Sequence, residues 1–267
     1  MARAAAPATP LPPDVRLMHV TASTALVVAG LVLATAAVLG LARLPVFALK
    51  SIKLEGEIVR NSASTIRANA TPQLKGNFFT LDLGEAREAF ESVPWVRHAV
   101  VRRIWPNKLA VRLEEHHAAA LWAAEDGNDR LVNTAGEVFE ANVGDVEDDG
   151  LPRFSGPEGS AAQMLQLYRR LQPVLQGLDE GGIEVMKLSG RGSWRVLLDG
   201  GAAVELGRGS DDEVVNRAER FVRTVQQVVQ QYQRPLQYAD LRHPDGYAVR
   251  LKGVTTLMTP TPPARKR

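Results

Sequence analysis

The side chains best suited to chemistry lie in residues 93–122, which read VPWVRHAVVRRIWPNKLAVRLEEHHAAALW. Two adjacent histidines, His116 and His117, could bind a metal ion, and basic residues that alternate with apolar ones could contact nucleic acid. Successive side chains of a strand point to opposite faces, so the two imidazoles cannot easily hold one ion together. The other histidines, at positions 19, 98 and 243, have no ligand spacing. We therefore predict no metal site.

Two further segments could hold an ion, but each has a simpler explanation. GRGS, at 207–210, precedes a predicted helix as a phosphate-binding turn does, yet the carboxylates of residues 211–213 would repel a phosphate. The acidic residues at 145–149 could bind a cation weakly, although a solvated linker explains them better. The chain has no cysteine and no G-x-S-x-G, P-loop or H-E-x-x-H motif. We predict no enzymatic activity, no catalytic residue and no cofactor.

A pair of antiparallel strands explains the basic residues of 93–122. WPNK, at 105–108, marks a turn between VRHAVVRRI and LAVRLEE. Alternate positions of the two strands then form a solvated face, on which basic side chains are ordinary. Across the whole chain 32 basic residues stand against 30 acidic ones, which leaves a net charge of only +2. We predict no nucleic-acid partner.

Residues 20–42 have the composition of a membrane-spanning helix. They contain no charged side chain, and as a helix they are about 35 Å long, enough to cross a hydrocarbon core of about 30 Å. Ala34-Thr35-Ala36 fits the cleavage pattern of a signal peptide, but apolar residues continue to Leu41, which favours an uncleaved anchor. Basic residues stand on both sides of the span, so their count does not settle its orientation.

The remainder of the chain divides into two patterns. Residues 47–115 predict the order β-α-α-β-β, with Asp82 and Glu85 as a capping pair for the second helix. Beyond residue 116, strands alternate with two amphipathic helices. Ser160 with Gln163, and Ser210 with Glu213, predict a capping box for each of these helices. We also expect Tyr232 to lie on the apolar face of the second one.

Four stretches in this order resemble the FtsQ/DivIB family of bacterial cell division proteins, and proteobacterial members in particular. They are residues 93–122, LVNTAGEVFEA, GSWRVLLDGGAAVELGRG and YADLRHPDGYAVRLK. The similarity covers about residues 20–254. It implies the α+β class, with a single N-terminal transmembrane helix, a POTRA domain (β-α-α-β-β) and a β domain, which is a curved, mostly antiparallel sheet with flanking helices. The implied organisation is a disordered cytoplasmic tail at 1–19, the transmembrane helix at 20–42, the POTRA domain at 47–115, the β domain at 116–254 and a flexible tail at 255–267.

The resemblance also implies a function. Members of this family are essential, non-enzymatic scaffolds of the divisome that bind FtsB and FtsL in the periplasm. They link early and late division proteins, control septal peptidoglycan synthesis and depend on FtsK for recruitment. The implied location is the inner membrane at the division septum, as a single-pass type II protein with a cytoplasmic N-terminus. The alternative is a POTRA-bearing, membrane-anchored protein of polypeptide export or envelope assembly.

The resemblance finally implies a partner-binding strand near the end of the chain. A terminal strand with an unpaired edge can accept another strand through backbone hydrogen bonds, and in this family FtsB adds to such a strand. His243 and Leu251 stand where relatives have aromatic residues, which reduces the number of anchors. By position, the implied partner-binding residues are Arg191, Tyr238, Asp240, Arg242, His243, Asp245, Gly246, Tyr247, Ala248, Val249 and Leu251.

Overall fold

The computed structural model describes residues 13–56, 58–124, 127–179 and 181–254. The predictions for residues 1–12 and for the tail at 255–267 lie outside the described residues. The chain separates into two compact units, Met1–Glu114 and Glu115–Arg267.

The first unit begins with a long apolar helix, α1 (Pro13–Ala42). It starts earlier than the predicted span, so residues 13–19, which we assigned to a disordered tail, are helical instead. Its segment Leu17–Ala42 is long and apolar enough to cross a membrane. The most apolar stretch of this segment is not buried against the rest of the protein. Thr21, Thr24 and Thr35 donate their hydroxyls to carbonyls one turn back, which satisfies these polar groups within the helix.

The β-α-α-β-β order follows as predicted, in a sheet of order β1-β3-β2 with β1 parallel to β3. The side chains of Ile66 and Phe90 on the helices form one core with Leu109 and Val111 on the sheet. Asp82 caps α3 by accepting hydrogen bonds from the amides of the next turn. Short 3-10 helices lie at Pro45–Phe47 and Thr71–Gln73. The elements are β1 (Ser51–Glu55), α2 (Ala63–Ala70), α3 (Leu83–Glu91), β2 (Val96–Ile104) and β3 (Lys108–Glu115).

The second unit is built on a nine-stranded sheet with two helices. Its elements are β4 (Ala118–Trp122), β5 (Arg130–Asn133), β6 (Val138–Phe139), a 3-10 helix at Val143–Asp149, β7 (Arg153–Ser155), α4 (Ala161–Leu175), β8 (Ile183–Leu188), β9 (Trp194–Leu198), β10 (Ala203–Gly207), α5 (Asp211–Tyr232), β11 (Leu236–Asp240) and β12 (Ala248–Leu251). The strand order is β12-β11-β10-β9-β8-β7-β4-β5-β6. Neighbours are antiparallel except at β4–β7, β7–β8 and β10–β11. The predicted α+β class and mostly antiparallel sheet are confirmed.

The core of the second unit joins α4 and α5 to the sheet. Leu167 and Leu171 of α4 and Phe221 of α5 are fully buried together with Phe154, Met186 and Val204 of the strands. Such apolar faces turned toward a sheet are what the helical spacing predicted. Tyr232 is an exception because, at the last residue of α5, its side chain is 54% exposed.

The two predicted capping boxes have different outcomes. Ser210 and Glu213 form the box at the start of α5, each side chain bonding the backbone of the other. At α4 the prediction was wrong, since Ser160 makes no capping bond and donates its hydroxyl to the Pro157 carbonyl at 2.6 Å. Ser160 already has helical backbone angles, whereas a capping side chain normally comes from an extended residue.

Candidate partner-binding edge of the sheet

Strand β12 forms one edge of the nine-stranded sheet. It pairs with β11 only, with Ala248 opposite Asp240 and Val249 opposite Ala239. Within the part of the chain that the structure describes, no strand lies on its other side. Alternate residues of such a strand direct their N–H and C=O groups away from the sheet, where they can pair with an added strand.

The opposite edge of the same sheet is a poorer acceptor. It is β6, which contains only Val138 and Phe139. Strand β12 has four residues, so it offers the longer row of outward backbone groups. Of these two edges, β12 is better suited to take up another strand.

Helix α5 holds the start of β12 in place. The ring of Tyr247 packs edge-on against Phe221, with 5.0 Å between centroids. Its hydroxyl donates a hydrogen bond to Thr224 Oγ1 at 2.8 Å. Since side chains alternate along a strand, Val249 and Leu251 follow Tyr247 on this face, while Ala248 and Arg250 are exposed on the other. The backbone edge is therefore supported from one face of the sheet.

One ionic contact braces the loop 241–247 that joins β11 to β12. Asp240 accepts hydrogen bonds from the backbone amide, Nε and Nη2 of Arg242. The hydrogen bond from the Arg242 guanidinium lowers the pKa of Asp240 to about 2, and the carboxylate raises the pKa of Arg242 above its ordinary range. Arg217 of α5 donates to the carbonyls of Leu206 and Arg208 at the end of β10.

A small basic pocket lies between α5 and this loop. Its volume is about 240 Å³, and its charged lining consists of Arg217 and Arg220 with one carboxylate, Asp245, beside His243 and Tyr247. Arg217 already donates to the carbonyls of Leu206 and Arg208. The guanidinium of Arg220 is therefore the group suited to a carboxylate, which arginine can bind through two parallel hydrogen bonds. The pocket adjoins the start of β12, so a strand that added to this edge would pass close to it.

The structure brings the predicted partner-binding residues together, except for Arg191. Tyr238 and Asp240 lie on β11, residues 242–247 in the loop, and residues 248–251 on β12. Arg191 lies in the turn between β8 and β9, at the end of the sheet where β12 starts. Strand β9 is three places from β12 in the sheet, or about 14 Å at the usual strand spacing.

Exposure separates the predicted residues into three groups. Asp240 and Leu251 are buried, at 8% and 7% exposed, so their side chains offer little surface to a partner. Tyr238, Tyr247 and Val249 are partly buried. The exposed members are Arg191, Arg242, His243, Asp245, Gly246 and Ala248. Arg217, Arg220 and Thr224 on α5 line the pocket beside the loop, but they were not among the predicted partner-binding residues. Their spacing around Phe221 places them near one another on the helix surface, but it does not reveal which strand the helix faces.

The histidine pair lies outside the strands. His116 and His117 link β3 to β4, His117 is exposed, and the His116 ring stacks on Phe139 with 4.0 Å between centroids. The Nδ1 atom of His116 is 2.9 Å from Nδ2 of Asn133. Among the described residues, no group of three or more histidine, cysteine or acidic side chains could hold a metal ion.

Several of the basic side chains in residues 93–122 are paired with carboxylates. Arg102 and Arg112 both approach Glu55, and Arg97 contacts Glu114 at 2.7 Å. A hydrogen bond from Lys53 is the largest cause of a lowered pKa of Glu55. The positive charges of Lys53, Arg102 and Arg112 lower this pKa further. Such cross-strand ion pairs are typical of a solvated sheet face, which is how the alternation was interpreted.

Two family models match this chain. The model described as "POTRA domain, FtsQ-type" matches residues 47–116, and the model described as "Cell division protein FtsQ/DivIB, C-terminal" matches residues 120–242. The second match ends in the loop before β12.

Three similar proteins are each named cell division protein FtsQ. The chain is 43% identical to the cell division protein FtsQ of Burkholderia pseudomallei over 245 residues, which cover 91% of this chain and 96% of that one. It is 40% identical to the protein of the same name from Thiomonas arsenitoxydans, over 82% and 83% of the two chains. The corresponding protein of Bordetella pertussis is also 40% identical, over 89% of this chain and 92% of its own.

Proposed function

The chain belongs to the FtsQ/DivIB family of membrane-anchored cell division proteins, and from this premise we propose that it is a non-enzymatic scaffold that binds FtsB and FtsL. Membership of the family supports a role in the divisome. The scaffold links early and late division proteins and so controls septal peptidoglycan synthesis. Recruitment to midcell involves FtsK.

The proposed topology places the part of the first unit that follows α1, and the whole second unit, in the periplasm. The N-terminus is cytoplasmic, α1 spans the inner membrane once as a type II anchor, and the protein concentrates at the division septum. In this proposal residues 47–115 form the POTRA domain, and residues 116–254 form the β domain. A fusion of alkaline phosphatase to the C-terminus would be active in this orientation and inactive in the reverse one.

The proposed mechanism of recognition is strand addition to β12. The observation that carries it is the free outer side of this strand among the described residues. Backbone hydrogen bonds from an added strand supply affinity, and side chains beside the edge supply specificity. The exposed residues of the loop 241–247 and the pocket beside Arg217 and Arg220 are positioned to contribute that specificity. Arg191, three strands away, can contact only a part of the partner that extends beyond the added strand.

Two proline variants test this mechanism with an internal control. Adjacent residues of an edge strand direct their N–H groups to opposite sides, so only one of Ala248→Pro and Val249→Pro removes an outward donor. The other removes a donor to β11 and lowers stability. We expect one variant to keep its thermal unfolding midpoint but lose binding of the periplasmic segment of FtsB. If both variants bind normally while folded, β12 is not the docking edge. Val138→Pro on the opposite edge should leave binding unchanged.

The export alternative makes a different prediction in cells. Depletion of a divisome scaffold produces long, undivided filaments. Depletion of an export or envelope-assembly protein produces outer-membrane defects without filaments. The similarity of the whole chain to cell division proteins favours the first outcome.

A further inference from the structure

Two exposed aromatic residues lie at the end of the first unit that is nearest the membrane anchor. We propose that Phe79 and Trp105, together with Leu44 and Val46, form a surface that inserts into the interface of the lipid bilayer spanned by α1. This surface, the aromatic foot, would seat the first unit directly on the membrane. The proposal concerns contact with lipid and is independent of the strand-addition mechanism.

Hydrogen bonds tie the two turns that carry these aromatics to the chain leaving α1. In the turn before Phe79, Asn77 Nδ2 donates to the carbonyl of Ala42, the last residue of α1, at 2.8 Å. The amide of Phe78 donates to the carbonyl of Phe47 at 2.9 Å. The turn that carries Phe79 is thus held within a few residues of the point where the helix ends.

The second turn is fixed in the same way. Asn107 Nδ2 donates to the carbonyl of Val46 at 3.2 Å, and the amide of Lys50 donates to the carbonyl of Asn107 at 2.9 Å. Trp105, two residues before Asn107, is therefore carried on the same end of the unit. Because α1 is the membrane anchor, this end faces the bilayer surface.

The exposure of these side chains is hard to explain in water. Trp105 is 73% exposed and Phe79 51% exposed, and the flanking Leu44 and Val46 are also exposed. The other three tryptophans of the chain are buried. Clustered exposed apolar residues mark a contact surface, and aromatic rings are enriched at the level of the lipid headgroups. The Phe79 ring also packs on Phe47, with 4.8 Å between centroids, so it is held in position.

The charges around the aromatic foot match an anionic lipid surface. Residues 43–53, 73–81 and 103–109 contain no aspartate or glutamate. They include six basic residues, of which Lys53 is paired with Glu55, and the other five are Arg43, Lys50, Lys75, Arg103 and Lys108. A basic cluster next to a membrane span is attracted to negatively charged headgroups, by about 1 kcal/mol for each residue near the surface. The foot thus combines apolar tips with a basic rim, as interfacial membrane anchors do.

Tryptophan fluorescence tests the proposal on the intact chain. The full-length protein is placed in lipid nanodiscs whose phospholipids carry bromine atoms on their acyl chains, without any partner protein. We expect the emission of Trp105 to be quenched by the brominated lipid and the Trp105→Phe chain to lose this quenched component. Val100→Ser, which alters an exposed apolar residue in the middle of β2, should retain it. Quenching of Trp105 by iodide from the aqueous phase and not by the brominated lipid would overturn the proposal.

The contribution of the basic rim is measured by changing the headgroups. Quenching should be stronger in nanodiscs that contain phosphatidylglycerol than in purely zwitterionic ones, and the difference should shrink at high salt. Phe79→Ser should weaken quenching of Trp105 in both compositions while the thermal midpoint stays the same. Equal quenching in both lipids would refute the role of the basic residues, and no effect of Phe79→Ser would exclude that ring from the foot.

Discussion

Asp240 and Arg242 form a hydrogen-bonded ion pair at the end of β11, where the loop that leads to the edge strand begins. One carboxylate oxygen accepts from both the amide and Nε of Arg242, at 3.0 and 2.8 Å, and the other accepts from Nη2 at 2.6 Å. The pair fixes the first residues of the loop 241–247. Any partner that approaches β12 thus meets a loop whose start is held by the protein itself.

The stability of the second unit should depend on this pair at low pH. The pKa of Asp240 is lowered from 3.8 to about 2 in the folded protein. A carboxyl with a depressed pKa contributes stability above its unfolded pKa and loses it as the pH falls toward the folded value. We expect the midpoint of urea unfolding to fall between about pH 4 and pH 2. Asp240→Asn should flatten that fall, and Asp245→Asn, at an exposed loop position, should not.

The hydroxyl of Tyr247 should contribute modestly to stability through Thr224. Removal of one such bond costs about 1 kcal/mol, so Tyr247→Phe and Thr224→Val should each lower the free energy of unfolding by about that amount. Because both changes remove the same bond, their combination should cost less than the sum. Fully additive losses in denaturant titrations would mean that the hydrogen bond contributes nothing. Tyr247→Ala also removes the ring from Phe221 and should weaken binding of the FtsB segment.

The two serines at helix starts should differ in their effect on stability. Ser210 caps α5, so Ser210→Ala should destabilise the protein by about 1 kcal/mol. Ser160 has the same sequence context but makes no capping bond, so Ser160→Ala should cost clearly less. Equal losses in the two variants would contradict the assigned roles. Urea titration followed by circular dichroism gives both values.

Gly207 should be less replaceable than Gly201, although both have a φ of 80°. A Cβ atom on Gly207 would lie 2.8 Å from Arg217 Nη1 and 3.0 Å from Arg242 Cγ, whereas one on Gly201 would meet nothing within 4 Å. Gly201→Ala therefore reports the backbone strain alone, about 1 kcal/mol. Gly207→Ala adds the displacement of the two arginines, and its unfolding midpoint should fall further. A similar fall in both variants would show that the arginines move freely.

The basic pocket predicts an effect of charge reversal on partner binding. Arg220 lines the pocket, and Arg223, also exposed on α5, does not. Arg220→Glu should weaken binding of the FtsB segment, and the loss should diminish as salt screens the charges. Arg223→Glu makes the same change in net charge and should leave affinity nearly unchanged. Equal weakening by both variants would indicate only a general electrostatic attraction.

Local sequence signals predicted the elements better than their arrangement. The order β-α-α-β-β and the Ser210 cap depend on short-range patterns and were found. Strand β7 was missed, because its three residues lie in a stretch rich in glycine, proline and acidic residues. Ser160 failed as a cap because the Pro157 carbonyl, and not a helical amide, is its partner.

The candidate site required long-range information that no local pattern contains. The family resemblance implied a strand near the end of the chain, but its place at the edge depends on a parallel pairing between β10 and β11 across the whole of α5. The same pairing brings Arg217 and Arg220 to β12. It also separates Arg191 from the strand by two intervening strands.

The position of α5 beside the edge strand has a further consequence for how a partner could be aligned. Arg217 and Thr224 are seven residues apart on a helix, or about 10 Å, and three residues of a strand cover about the same distance. Arg217 and Thr224 both line the pocket, which therefore extends along about three residues of a strand. If an added strand carried an acidic side chain at this pocket, a slip by two residues would keep the backbone bonds but move that side chain about 7 Å from the pocket. The helix would then reject partners whose strands pair in the wrong frame.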